Sequence, residues 1–68
     1  MKIRIIEEIH TSLVNGQRRQ MVNQINDYGL YDFWFDYGKY LMDLYGGPDT
    51  WFEYYKDAVI SYHRITYR

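Results

Sequence analysis

The sequence contains no cysteine, one proline, one alanine and only two histidines among its 68 residues. Without cysteine, the chain can form no disulfide and offers no thiolate ligand to a metal. His10 and His63 are too few for a zinc site unless carboxylates complete it. Glycine-rich phosphate loops and metal-ligand spacings are also missing from the sequence. We therefore expect no metal and no other cofactor.

Long apolar runs are missing as well. No stretch approaches the ~20 consecutive apolar residues that a membrane span requires. The first apolar run, residues 3–9, is interrupted by Arg4, Glu7 and Glu8, and no signal peptide is visible. Together with the lack of cysteine, this pattern predicts a protein of the cytoplasm that does not enter a membrane.

The length of the chain predicts one small domain, residues 1–68, with no room for a second. A domain this short buries only about 60% of its unfolded surface, so its stability is marginal unless something else contributes. With disulfides excluded, large aromatic side chains and self-association are the remaining means of stabilisation. Each aromatic side chain can bury about 150–250 Å².

Aromatic residues are abundant, at 21% of the chain, and twelve of the fourteen lie between residues 28 and 55. Charge is unevenly distributed in the same region. Residues 27–57 carry seven acidic and two basic side chains, whereas the segments on either side are net basic and the whole chain has a net charge of −1. The aromatic centre of the chain is therefore also its acidic part.

Apolar residues recur at helical spacing in four segments. The faces that this spacing predicts are, in chain order, Ile6, Ile9 and Leu13; Met21, Val22, Ile25 and Tyr28; Phe33, Tyr37, Tyr40, Leu41 and Leu44; and Trp51, Tyr55, Val59 and Tyr62. The pattern predicts an all-α bundle of three to four short helices. Residues 2–9 and 60–67 also alternate in a way that suits strands, so an α+β fold with terminal strands is the alternative.

Residues that end or begin helices stand between these segments. The predicted breaks are Asn15-Gly16, a left-handed cap at Gly29, and Gly46-Gly47 before Pro48. The predicted N-caps are Asp32 for the third helix and either Asp49 or Thr50 for the fourth. With Thr50 as the cap, Glu53 would complete a capping box.

The third helix is apolar around most of its circumference, which is unusual for a helix on the surface of a small domain. Such a helix is either central in its domain or covered by a partner. Tryptophan, tyrosine, phenylalanine and methionine are enriched at protein interfaces. Carboxylates beside them would set orientation and association rate. The predicted partner-binding residues are Trp34, Phe35, Met42, Tyr45, Asp36 and Asp43.

Two further patterns point to alternative functions. Arg18 and Arg19 stand in the first turn of the second helix, where they would form a weak anion site unless Glu7 and Glu8 neutralise them. With other basic residues, Lys2 and Arg4, they would serve a nucleic-acid-binding protein whose tyrosines stack on bases. Alternatively, an acidic face would imitate a phosphate backbone and inhibit a nucleic-acid enzyme. Its members are Asp27, Asp32, Asp36, Asp43, Asp49, Glu53 and Asp57.

Catalytic patterns are weak. Ser61 and His63 lie about 200° apart on a helix, at 100° per residue, and so cannot act as a nucleophile–base pair there. His10 falls on the apolar face of the first helix, where a hydrogen-bonded core histidine is expected. We therefore predict a non-enzymatic interaction module that binds another protein, itself, or both. The composition resembles that of small accessory proteins of phages, which bind and redirect host proteins in the host cytoplasm.

Overall fold

A computed structural model describes the backbone of residues 2–67 and the side chains of residues 3–67. This part of the chain forms four helices and no strand: α1 (Lys2–Val14), α2 (Arg18–Tyr28), α3 (Leu30–Tyr45) and α4 (Thr50–Thr66). The all-α prediction is confirmed. The alternative of strands at 2–9 and 60–67 is wrong, because α1 and α4 run through those segments and bury one face each against the other helices.

The helices form a four-cornered bundle with α1 and α4 at opposite corners. Packing joins α1 to α2, α2 to α4, α4 to α3 and α3 to α1, and α2 and α3 also meet across the middle. All four helices contribute to one core, whose members are Ile6, Ile9, Leu13, Met21, Val22, Ile25, Phe33, Tyr37, Leu41, Ala58 and Tyr62. The predicted faces of α1 and α2 are therefore confirmed.

The link between α1 and α2 closes through backbone hydrogen bonds. Gly16 N–H donates to the Leu13 carbonyl at 3.1 Å, and Gln17 N–H donates to the Ser12 carbonyl at 2.8 Å. This pair of bonds is a Schellman motif, which satisfies two carbonyls that the end of the helix leaves unpaired. Asn15-Gly16 therefore separates two helices, as predicted, and does not form a hairpin turn.

Gly29 alone joins α2 to α3. Its N–H donates to Ile25, and its carbonyl accepts from Phe33 N–H at 2.8 Å, so one residue caps both helices. Its φ of 117° and ψ of 116° are open to glycine but strained for other residues. The φ is positive, but the φ and ψ pair lies outside the left-handed helical region, so the predicted conformation of Gly29 is wrong. The predicted N-cap at Asp32 is wrong too, because α3 begins directly after Gly29 and places Asp32 in its first turn.

The link between α3 and α4 begins with a left-handed Gly46, as predicted. Of the two caps predicted for α4, the structure has Asp49 and not Thr50. Thr50 is the first residue of the helix and Asp49 holds the cap position, without a side-chain hydrogen bond. Because Thr50 lies inside the helix, no capping box forms with Glu53. The Glu53 carboxylate instead lies 3.7 Å from Lys56 Nζ.

Two residues of the predicted core faces are exposed. Leu44 in the last turn of α3 is 52% exposed, and Val59 in α4 is 41% exposed. The core position next to Val59 belongs to Ala58, which is fully buried. Val59 follows Ala58 by one residue, about 100° around the helix, and so lies at the edge of the buried face of α4.

Candidate interaction surface

A groove runs between α3 and α4 on the outside of the bundle, and we call it the aromatic groove. Its first depression has a volume of about 390 Å³ and is lined by Trp34, Phe35, Gly38, Lys39, Met42, Trp51, Phe52 and Tyr55. Its second depression has a volume of about 450 Å³ and is lined by Leu30, Trp34, Tyr55, Val59, Tyr62, His63 and Tyr67. Trp34 and Tyr55 line both depressions, and together they form a ridge in the groove floor between the two.

The ridge exists because α3 has a glycine where α4 crosses it. A Cβ on Gly38 would lie 3.4 Å from Cε2 of Tyr55, so the tyrosine ring lies directly against the backbone of α3. The Tyr55 hydroxyl donates a hydrogen bond to the Trp34 carbonyl at 3.2 Å. The Trp34 ring contacts Tyr55 at a centroid distance of 5.7 Å and Phe33 at 4.9 Å. The groove floor is therefore attached to the core.

The walls of the groove are apolar and exposed. Phe35 is 67% exposed on the α3 side, and Phe52 is 47% exposed on the α4 side. A lysine four residues further along each helix covers each ring. Lys39 Nζ lies 4.9 Å from the Phe35 centroid, and Lys56 Nζ lies 5.7 Å from that of Phe52. Such cation–π contacts keep the lysine stems along the apolar walls and their ammonium groups at the rim.

The predicted partner-binding residues separate into three places. Trp34, Phe35 and Met42 meet in the aromatic groove, with Trp34 as floor and the other two as wall. Asp36 and Asp43 lie on the other side of α3, in a depression shared with Ile3 of α1.

Asp36 has a structural partner on that side. Its carboxylate accepts a hydrogen bond from the Tyr28 hydroxyl. Burial, together with this bond to Asp36, raises the pKa of Tyr28 to about 12.

Tyr45 belongs to a third place, a cluster of tyrosines around His10. The His10 ring is buried, with Nδ1 2.8 Å from the Tyr37 hydroxyl and Nε2 2.8 Å from that of Tyr45. Tyr45 stacks on Tyr54 at 4.7 Å. Burial lowers the pKa of His10 below 6.5 and raises that of Tyr45 to about 12. Both ring nitrogens are engaged, so the cluster is built as a core hydrogen-bond network.

Sequence reasoning missed Trp51, Phe52, Tyr55 and Lys39 as neighbours of Phe35. The signal was present in α4, where Phe52, Val59 and His63 follow one another at helical spacing along the edge of the apolar face. This edge faces the same groove as the surplus apolar side of α3, as the linings of the two depressions show.

The arginines of the predicted anion site lie elsewhere. Arg18 Nη1 donates to the Asp57 carboxylate at 2.8 Å and also to the Ser61 hydroxyl. Its ionic partner is thus Asp57 of α4, and the expected neutralisation by Glu7 or Glu8 is not what the structure shows. Arg19 is exposed. The Lys2 side chain, included in the nucleic-acid prediction, lies outside the described residues.

Three of the seven acidic residues have partners within the chain. Asp57 pairs with Arg18, Asp36 accepts from Tyr28, and Glu53 lies near Lys56. Within residues 3–67, no group of three or more histidine, aspartate or glutamate side chains is placed to hold a metal ion. Over the described part of the chain, each helix is too short or too polar to cross a membrane.

Comparison with protein-family models, with curated protein sequences and with solved structures finds no match to this chain.

Proposed function

We propose that this protein is a non-enzymatic interaction module that binds another protein in the aromatic groove. The observation that carries the proposal is the contiguity of the exposed apolar side chains there. Phe35, Met42 and Phe52 line one depression, and Val59 lines the depression beside it. Single exposed apolar residues are ordinary on a protein surface, but a continuous aromatic patch with a fixed floor is typical of binding sites.

Charge also distinguishes the groove from the other exposed apolar positions. Ile3 shares its depression with Asp36, Lys39 and Asp43, and Ile60 shares one with Arg18, Asp57 and Arg64. In contrast, among the side chains of residues 3–67, Lys39 is the only aspartate, glutamate, lysine or arginine that lines the first depression of the groove. The second depression is lined by His63 but by none of these four residue types from the same part of the chain. Interface centres are depleted in charged residues in the same way.

The compositional resemblance to phage accessory proteins extends the proposal to the identity of the partner. A protein of that kind would use the groove to cover a functional surface of a host protein, and so inhibit or redirect it.

The test is site-specific photo-crosslinking followed by binding of the purified partner. A photoreactive phenylalanine analogue replaces Phe35 in one protein and Val14, which is 58% exposed on α1, in the control. We expect the analogue at position 35 to give a discrete crosslinked protein and the analogue at position 14 to give none. The proposal fails if position 14 captures the same protein with equal yield.

Affinity measurements with the purified partner complete the test. Phe35→Ala should weaken binding by at least about tenfold, as truncation of a central aromatic anchor does. Leu44→Ala removes an apolar side chain that is 52% exposed, on the same helix but outside the groove, and should leave affinity unchanged. Equal affinities of the two variants would refute the assignment of the groove.

A further inference from the structure

We infer that the occupant of the aromatic groove is an amphipathic α-helix of another protein, with apolar anchors seven residues apart and carboxylates beside them. This inference rests on the proposed function and adds the shape and charge of the partner. Spacing, backbone chemistry and the charges on the groove walls support it.

The spacing of the two depressions matches one face of a helix. Phe52 lines the first depression and Val59 the second, seven residues further along α4. Seven residues of helix rise about 10 Å, which is also the separation of side chains i and i+7 on a helix lying along the groove. Residue i+3 or i+4 of the bound helix would then rest on the ridge of Trp34 and Tyr55.

A helix satisfies its own backbone, and this groove offers little to any other conformation. Residues 2–67 contain no strand, so an extended segment would find no sheet edge there to pair with. Its N–H and C=O groups would face aromatic walls on which Lys39 supplies only donors. Buried backbone groups without partners are costly, whereas a bound helix brings its hydrogen bonds with it.

The walls specify the flanking charges. Lys39 stands at the α3 rim and Lys56 at the α4 rim, each over a phenylalanine ring. Carboxylates on both sides of the apolar stripe of a bound helix would meet these ammonium groups, as the charges beside a coiled-coil seam do. Both lysines also have carboxylates of their own chain nearby: Glu53 lies 3.7 Å from Lys56, and Asp36 and Asp43 line a depression together with Lys39.

The same charges disfavour a second copy of this chain as the occupant. A twofold antiparallel contact between two α3 helices would place Phe35 of one copy against Met42 of the other. Lys39 lies near the midpoint between these residues, so two lysines would meet at the twofold axis. Like charges in direct opposition across an interface are unfavourable.

The experiment uses three displayed libraries of helix-forming peptides, each about five helical turns long. The first has randomised apolar anchors at i, i+4 and i+7 with glutamate flanks. The second has the same anchors with lysine flanks, and the third has glutamate flanks with anchors at i and i+5. All three are selected against the full chain, and enriched peptides are titrated by fluorescence. Trp34 and Trp51, the two tryptophans of the sequence, both line the groove and report its occupancy.

We expect enrichment from the first library. Affinity should fall at least about tenfold with Phe35→Ala or Lys39→Glu, the size typical of anchors and close charge pairs. Leu44→Ala and Arg19→Glu, an apolar and a charge control outside the groove, should leave affinity unchanged. A peptide in which lysines replace the flanking glutamates should bind the Lys39→Glu variant with restored affinity.

Preferential enrichment from the lysine-flanked or the i/i+5 library would overturn the inference. So would a partner that crosslinks at position 35 and needs Phe35 but binds through a segment that is not helical. That outcome would support the proposed interaction module and refute the inference that a helix occupies the groove. A dimer detected by light scattering and abolished by Phe35→Ala would assign the groove to a second copy. Absence of both a crosslinked partner and any enriched peptide would end both proposals.

Discussion

Replacement of His10 by phenylalanine tests the hydrogen-bond network in the core. The substitution keeps a ring of similar size but removes the partners of the Tyr37 and Tyr45 hydroxyls. Tyr37 is 1% exposed, so water does not replace the lost bond there. A buried polar group without a partner costs about 1–3 kcal/mol. Tyr45 is half-buried and adjoins Tyr54, so its hydroxyl should cost much less.

We therefore expect His10→Phe to lower the free energy of unfolding by about 2 kcal/mol. A chain of this length has a total stability of about 3–10 kcal/mol, so the loss is a large part of it. For a domain of this size it corresponds to a fall in Tm of about 8–16 °C. Urea unfolding followed by far-ultraviolet circular dichroism measures the difference, at a pH near 8 where the imidazole is neutral.

A double-mutant cycle separates the hydrogen bond from packing. Tyr37→Phe alone leaves Nδ1 of the buried His10 without its partner, whereas the double variant removes both polar groups. The double variant should be more stable, by about 1 kcal/mol or more, than the sum of the single losses predicts. His63→Phe, at an exposed position, is the control. Strictly additive losses, or a loss at position 10 no larger than at position 63, would refute the reasoning.

Three further predictions concern pH, glycine and the ion pair. Because burial lowers the pKa of His10 in the folded protein, the unfolded chain takes up the proton first. Stability should therefore fall as pH decreases through 6.5 towards the folded-state pKa, and this part of the loss should be absent from His10→Phe in urea unfolding at several pH values. Gly38→Ala should raise Tm through a gain of up to about 1 kcal/mol, since its Cβ meets only an ordinary contact. Gly46→Ala, at a φ of 64°, should lower Tm through a loss of about 1–2 kcal/mol; equal shifts would contradict both. The half-exposed pair of Arg18 and Asp57 should contribute about 0.5–1 kcal/mol, so Arg18→Gln should lose that much at low salt and less at high salt.

Several local features of this protein follow from the sequence alone, although the caps predicted at Asp32 and Thr50 do not form. The spacing of apolar residues predicted a bundle of three to four helices and the buried faces of α1 and α2, because one narrow stripe leaves only one way to bury a helix. Asn15-Gly16 and Gly46 marked helix ends because their conformational preferences act within a few residues. The surplus apolar side of α3, with Phe35 and Met42, was visible for the same reason.

The tertiary structure decided which neighbour covers each face. Periodicity places a residue at an angle around its own helix axis, but it does not show how far the next helix extends or how closely it approaches. The Tyr55 ring of α4 lies against the backbone of α3 at Gly38, and Ala58 takes the buried position beside the exposed Val59. Trp34 becomes the floor of a groove whose opposite wall is α4. The same packing brings Arg18 to Asp57, 39 residues away in the chain. Contacts over such separations depend on the arrangement of whole helices, and local sequence patterns do not record it.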